Sequence, residues 1–427
     1  MIPIVQADEL DTRRRQDTGT SEEEQMVAGI LRRVQDEGDA ALREYTRRFD
    51  RVDIAQPLVS DAEVEEAYTR VDPAFVEALR KAAEQIDAYH QRQKRQSWID
   101  TGEDGTVLGQ LVRPLERVGV YVPGGRAAYP STVLMTVIPA RVAGVEEIVI
   151  TTPPQADGRV YAPTLVAARE AGVTRICKAG GAQAIAALAS GTETIPRVDK
   201  ICGPGNRYVA LAKRLVYGRV DIDMIAGPSE IVVVADDSAK PAWVAADLLS
   251  QAEHDPLASA VLLTPSRALA DAVANELSQQ CSRLERSEIA AQSLRDHGAI
   301  AVTADLEEAL NTANRLAPEH LELMVEDPWA WVGKVKHAGA LFLGPWSPEA
   351  LGDYVAGPSH VLPTNGTARF SSPLGVDDFI KKTSLIAASR QALLRDGPAV
   401  EILAEAEGLT AHAASIRVRM DKEDPHV

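Results

Sequence analysis

Apolar residues recur at helical spacing along the first hundred positions and then give way to short β-branched runs separated by helix-length stretches. After a short polar arm over 1–18, Ser21-Glu22-Glu23-Glu24 reads as a helix start, with Met26, Ile30, Leu31 and Val34 on one face until Gly38. Further helices are predicted from about Asp39 to Phe49 and from Pro73 to about Gln93. No chemistry shows in this helical front, and His90, in Tyr89-His90-Gln91-Arg92-Gln93, is expected on the surface. From Thr106 the pattern changes. Strands are predicted at Val118–Val122, Glu147–Thr151, Arg175–Cys177, Asp199–Cys202, Ile231–Ala235, Ser259–Thr264 and Ala299–Val302. The helices between them run Ser131–Ala143, Ala162–Ala171, from Ala182, from about Arg207, through Ala242–Leu249, and Arg267 to about Cys281.

Strands of that length separated by such helices imply right-handed crossovers and a mostly parallel sheet. The strand ends Thr151-Thr152-Pro153 and Leu263-Thr264-Pro265 echo one another, which hints at a duplicated α/β unit. The expected architecture is therefore α/β, with two Rossmann-like parallel-sheet domains, a helical N-terminal region and a helical C-terminal tail. The expected boundaries are an arm over 1–18, a first α/β domain from 19–117 with 231–375, a second over 118–230, and a tail over 376–427. The tail is too short to bury its own core and should dock on another surface.

At 427 residues with an ordinary globular composition, the chain needs no staples, and a net charge of -17 argues against nucleic-acid or anionic-membrane partners. Cys177, Cys202 and Cys281 have no CxxC spacing, which points to a reducing, cytoplasmic setting. Acids near the N-terminus and the lack of a long apolar run give no sign of a signal peptide or a membrane span.

Four stretches carry candidate chemistry at strand or helix ends. Gln251 and His254, three apart where a helix closes before Pro256, can face one object, although the same residues also suit an ordinary helix end. Glu319 and His320 follow Pro318 at a helix-to-strand switch and should be exposed there; the pair suits acid/base work, although such pairs are often structural. The loop from Leu351 to Thr364 fixes Asp353 and His360 among two glycines and two prolines. Last, Thr410 can cap the final helix and place His412 in its first turn, where the dipole favours neutral imidazole. Glycine-rich turns at Val122-Pro123-Gly124-Gly125-Arg126, Gly180-Gly181-Ala182-Gln183 and Cys202-Gly203-Pro204-Gly205-Asn206 suit pyrophosphate or simply tight turns, since none is a GxGxxG. Cys177 and Cys202 read as buried packing rather than reactive thiols.

Together, Val120-Tyr121-Val122-Pro123-Gly124-Gly125, Gly180-Gly181-Ala182-Gln183, Gly203-Pro204-Gly205-Asn206, Gly227-Pro228-Ser229-Glu230, Gln251-Ala252-Glu253-His254-Asp255, Pro318-Glu319-His320, Gly352-Asp353-Tyr354, His360-Val361-Leu362-Pro363-Thr364 and Glu407-Gly408-Leu409 resemble the histidinol dehydrogenase family, in family order along essentially the whole chain. The resemblance implies oxidation of L-histidinol through L-histidinal to L-histidine with two NAD and one water. It implies one zinc per subunit, held by Gln251, His254, Asp353 and His412, with the metal orienting the substrate's imidazole and amine. By the same likeness His320 is the base and Glu319 the activator of water. Ser229, His360 and Glu407 contact the substrate, and Tyr121, Gln183 and Asn206 contact NAD. The likeness thus makes 118–230 the NAD domain and gives the first domain most of the zinc and catalytic residues. It implies a homodimer in which the tail's Glu407 and His412 complete the neighbour's site. Ser359 departs from an Asn common before the histidine in relatives. Two alternatives stand beside this reading. One is a sister zinc and NAD alcohol dehydrogenase on the same scaffold, such as a sulfopropanediol dehydrogenase; the other is a zinc hydrolase, which leaves the glycine-rich turns unexplained.

Overall fold

The computed structural model describes residues 2–12, 19–124, 129–173 and 175–420, so Gly125 and Arg126 of the first glycine-rich turn lie outside the described residues. The chain divides into two compact units, Met1–Gln93 with Leu115–Phe379, and Lys94–Pro114 with Ile380–Val427.

The larger unit holds two parallel sheets. In the first, Arg175–Lys178, Glu147–Thr152, Arg117–Tyr121, Lys200–Cys202 and Asp221–Ile222 lie side by side in that order. The chain enters at Arg117–Tyr121, adds two strands to one side, and returns to add Lys200–Cys202 on the other. That reversal opens a switch point between Arg117–Tyr121 and Lys200–Cys202, where such sheets place ligands. Val118, Val120, Val149, Ile150 and Ile201 are fully buried because helices cover both faces, which is why these strands read as unbroken apolar runs.

The helical front covers this sheet. Val27, Ile30, Leu31 and Val34 pack with Leu42, Tyr45, Val149 and Ile201, while Val76, Leu79 and Ile86 pack with Val118, Val120 and Leu134. The observed packing thus differs from the expected grouping of 19–117 with 231–375, because an amphipathic stripe shows that a face is buried but not what buries it. Two local expectations are corrected as well. Met26 is exposed and Val27 takes its place in the stripe. His90 is buried, not on the surface: it follows Ile86 by four residues on the inward face, and its Nδ1–H donates to Gln93 Oε1 at 2.8 Å.

The second sheet orders Ile4–Gln6, Ala299–Val302, Ser259–Thr264, Glu230–Ala235, His320–Met324 and Ala340–Leu343, all parallel. Ile4–Gln6, expected within a polar arm, is an edge strand too short to leave a pattern. Apart from that addition, the two sheets repeat one strand order, third-second-first-fourth-fifth counted along the chain. The echoed Thr-Pro ends close the second strand of each series, so they fall at equivalent places.

The smaller unit is an antiparallel sheet of Ile380–Ala387, Val107–Pro114 and Trp98–Thr101, with helices Arg390–Ala406 and Thr410–Met420. The C-terminal end is helical as expected, but a strand precedes it. Ile380–Ala387 is exposed along most of its length, so no alternation of apolar and polar residues announces it. Among the described residues, no helix is long and apolar enough to cross a membrane.

Candidate active site

His320 is the first residue of its strand, in register with Ile231 and Ala340, so it stands at the amino edge of the six-stranded sheet. Ala317, in a left-handed conformation, ends helix Leu306–Leu316 and turns the chain into that strand. Glu319 and His320 are buried rather than exposed at the switch, because the neighbouring strand starts cover them on both sides. Glu230 fixes both: its amide donates to Glu319 Oε2 at 2.9 Å, and its carbonyl accepts from His320 Nδ1–H at 3.0 Å. A carbonyl can only accept, so Nδ1 carries the proton and the lone pair of neutral imidazole sits on Nε2. That Nε2 has no hydrogen-bond partner, with Asp353 Oδ1 3.5 Å away. Burial opposes charge on His320, but the Glu319 and Asp353 carboxylates outweigh it and lift the imidazole to about 10. Glu319 is raised too, but by burial itself, which pushes it up to about 8 with His320 resisting.

Gln251 lies in the last turn of helix Pro241–Ala252, and His254 follows in a turn whose amide donates to Gln251 O at 3.1 Å. Gln251 is buried with neither Oε1 nor Nε2 hydrogen-bonded, a costly state for an amide unless something else engages it. Burial lowers the His254 pKa, keeping the imidazole neutral and able to ligate. Asp353, expected in a loop, rides on the short helix Glu349–Tyr354. Burial works against its charge, yet His320 and His360 hold its carboxyl below the usual range.

Sequence reasoning passed over Glu349. It is four residues before Asp353 and so on the same helical face, the one signal that could have found it. Its Oε2 accepts from Ser250 Oγ at 2.8 Å and its amide donates to Glu322 Oε1 at 2.8 Å. Ligating atoms of His320, Glu349 and Asp353 lie within 4.8 Å of one another. Burial also raises Glu322, Glu349 and Asp247, the second and third to about 7 and about 6. So many carboxylates around one imidazole make a strongly electronegative pocket, and with the orphaned Gln251 amide and neutral His254 the donor set fits a borderline divalent cation.

His360 folds back on this site. Its Nδ1–H donates to the Asp353 carbonyl at 3.0 Å, leaving Nε2 to accept from Thr132 Oγ1 at 3.3 Å. Ser359 is satisfied: its hydroxyl donates to Met135 O at 3.2 Å and accepts from Val361 N at 3.2 Å. Gly227 N donates to Thr364 Oγ1 at 2.7 Å, tying the turn that carries half-buried Ser229 to the His360 loop. Glu407 and His412 belong to the smaller unit, and both are exposed. His412 is in the first turn of its helix as expected, while Thr410 opens that helix instead of capping it.

A second recess lies at the carboxyl edge of the five-stranded sheet. Tyr121, Gln183 and Asn206 line one cavity of about 910 Å3 there. Asn206 Oδ1 accepts from the amides of Tyr208 and Val209 as a helix cap, and Tyr121 OH accepts from Gly181 N at 3.1 Å. Gln183 is buried and its Nε2 lacks a partner. The turns are glycine by necessity: at Gly203, with φ +113, a Cβ would sit 2.1 Å from Tyr121 O, and at Gly180 it would meet Pro153 at 2.6 Å. A recess of this size, floored by glycine turns and helix starts at a switch point, suits a dinucleotide. Cys177 and Cys202 are buried packing, with burial pushing the first thiol up to about 12 and the second well above its ordinary value.

Comparison with known proteins bears on these observations. A model of the histidinol dehydrogenase family matches residues 13–420. A histidinol dehydrogenase of Halalkalibacterium halodurans is 58% identical over 416 residues, covering 97% of this chain and 98% of that one. That of Bacillus subtilis is 57% identical, covering 97% of each. The crystal structure of histidinol dehydrogenase from Elizabethkingia anophelis superposes with a TM-score of 0.92 at 39% identity, covering 96% of this chain and 94% of that one.

Proposed function

Because the chain belongs to the histidinol dehydrogenase family, we propose that it oxidises L-histidinol through L-histidinal to L-histidine with two NAD and one water, the final steps of histidine biosynthesis. The observation that supports this most is His320: a buried imidazole whose Nδ1–H is tied to Glu230 O while Nε2 stands unpartnered beside Asp353 and Glu319. Its Nε2 takes the hydroxyl proton from histidinol as hydride leaves the same carbon. Glu319, held at Oε2 by the Glu230 amide, activates the water that adds to the aldehyde, and the hydrate is then oxidised in the second step. Gln251, His254 and Asp353, joined by His412 of a second copy, would hold a zinc ion that supplies a template for the substrate's imidazole and amine. Tyr121, Gln183 and Asn206 would hold NAD, which supplies the hydride acceptor. Ser229, His360 and the second copy's Glu407 complete the substrate contacts.

Several features support a homodimer with shared sites. Glu407 and His412 are exposed on the smaller unit, and its helices also expose Ile402, Leu403 and Val418, an apolar face suited to a second copy. Three buried free thiols suit the cytoplasm. The sister reading is disfavoured by charge, because the Asp353 carboxylate, held ionised by His320 and His360, would repel a sulfonate.

Two outcomes test the assignment of roles. Glu319→Gln should slow oxidation of histidinal by roughly 100-fold while slowing histidinol oxidation far less, since water enters only at the aldehyde. Separate assays of the two half-reactions check this, and equal slowing of both would remove Glu319 from the water-activating role. The pH profile follows from His320. A base works only unprotonated, and Glu319 and Asp353 raise its pKa, so kcat/KM should climb through neutrality into the alkaline range. Below that limb it should fall about tenfold per pH unit with metal content held constant, and a limb lying below pH of about 6 would contradict the assignment.

A further inference from the structure

Asp50 follows helix Asp39–Phe49 as its C-cap and lines the same cavity as Tyr121, Gln183 and Asn206. Its Oδ2 is buried with no hydrogen-bond partner, and no lysine or arginine pairs with it among the described residues. Burial alone acts on this carboxyl, pushing it up to about 6. Its charge reaches the Tyr121 hydroxyl, which places it beside the recess rather than in the sheet core. A carboxylate left so costs stability unless a ligand donates to it. None of the proposed steps uses it.

The position indicates which part of a ligand it meets. Phe49, the exposed neighbour of Asp50 in sequence, lines the cavity as well, with Met26 and Tyr161 also exposed along it, flat or flexible apolar surfaces suited to an adenine ring. The glycine turns and helix starts at Gly181 and Asn206 form the phosphate end. A carboxylate next to the adenine surface meets the adenosine ribose, whose vicinal hydroxyls are two donors. We propose that Asp50 accepts hydrogen bonds from the adenosine ribose of the bound dinucleotide and, by its charge, excludes a 2′-phosphate, making it the residue that selects NAD over NADP. This rests on the dinucleotide reading of the cavity. It follows the general rule that an acidic group at the ribose accepts its 2′-hydroxyl and repels the phosphorylated form.

The test compares equilibrium binding of NAD, NADP and 2′-deoxy-NAD to the full-length, metal-loaded enzyme and its Asp50→Asn variant. The wild type should prefer NAD to NADP by roughly 100-fold or more, and Asp50→Asn should cut that ratio at least tenfold, largely through tighter NADP binding. Discrimination against 2′-deoxy-NAD should shrink in parallel. Asp50→Ser serves as the second variant if the amide disturbs the helix end. An unchanged NAD:NADP ratio in a variant with wild-type circular dichroism and melting overturns the inference. Gln183→Ala separates the inference from its premise. If that variant weakens NAD binding while Asp50→Asn leaves the ratio alone, only the role of Asp50 falls; if NAD binding ignores Gln183 as well, the cavity reading falls with it.

Discussion

Replacing His320 with alanine should lower turnover by roughly 100-fold or more while zinc content stays at wild-type level. The two halves of that expectation come from different residues. Turnover falls because Nε2 of His320 is the unpartnered basic atom aimed into the site, with its tautomer fixed by Glu230 O. Metal stays because Gln251 and His254 sit on another helix end and Asp353 on its own short helix, where Gly352 allows tight packing on Phe342. His320 is buried, so the truncation also leaves a cavity and should cost on the order of 2 kcal/mol of stability. A thermal melt beside metal analysis and steady-state rates keeps these effects apart. Near-normal turnover in a folded, metal-replete variant would take the base role away from His320.

Mixing two inactive chains should restore activity. If Glu407 and His412 serve the neighbouring site, a His320→Ala chain and a His412→Ala chain are defective in residues drawn from different subunits. In a mixed dimer one site takes His320 from the second chain and His412 from the first, so both residues are intact there. The other site carries both defects and stays silent. Random pairing makes half the dimers mixed, each with one good site, so co-expression should recover up to roughly a quarter of wild-type sites from parents that are nearly inactive. Demonstrated heterodimers with no activity above either parent would mean that each tail serves its own chain, and the shared site would have to be given up.

The α/β series was legible because buried parallel strands must be apolar on both faces, as Val232-Val233-Val234 and Leu262-Leu263 are. Ile4–Gln6 and Ile380–Ala387 were not, the first for its shortness and the second because its exposed Lys381 and Lys382 carry no alternation. Among the candidate site residues, Gln251, His254, Asp353 and His320 stood out by chemical type and by their places at helix ends or close to proline or glycine. The burial of Glu319 and His320 did not, since it is imposed by Glu230 and Ala340, which begin two other strands of the sheet. Glu349 and Asp50 were hidden for a simpler reason: an acid at a helix end is ordinary in sequence, and only burial sets these two apart.

The most direct measurement is NADH formed per L-histidinol consumed, with and without prior removal of metal by a chelator. Two NADH per substrate with histidine as the product, lost on chelation and regained with zinc, is the predicted result. One NADH with free histidinal, or turnover indifferent to chelator, would contradict a zinc-dependent four-electron oxidation in this chain.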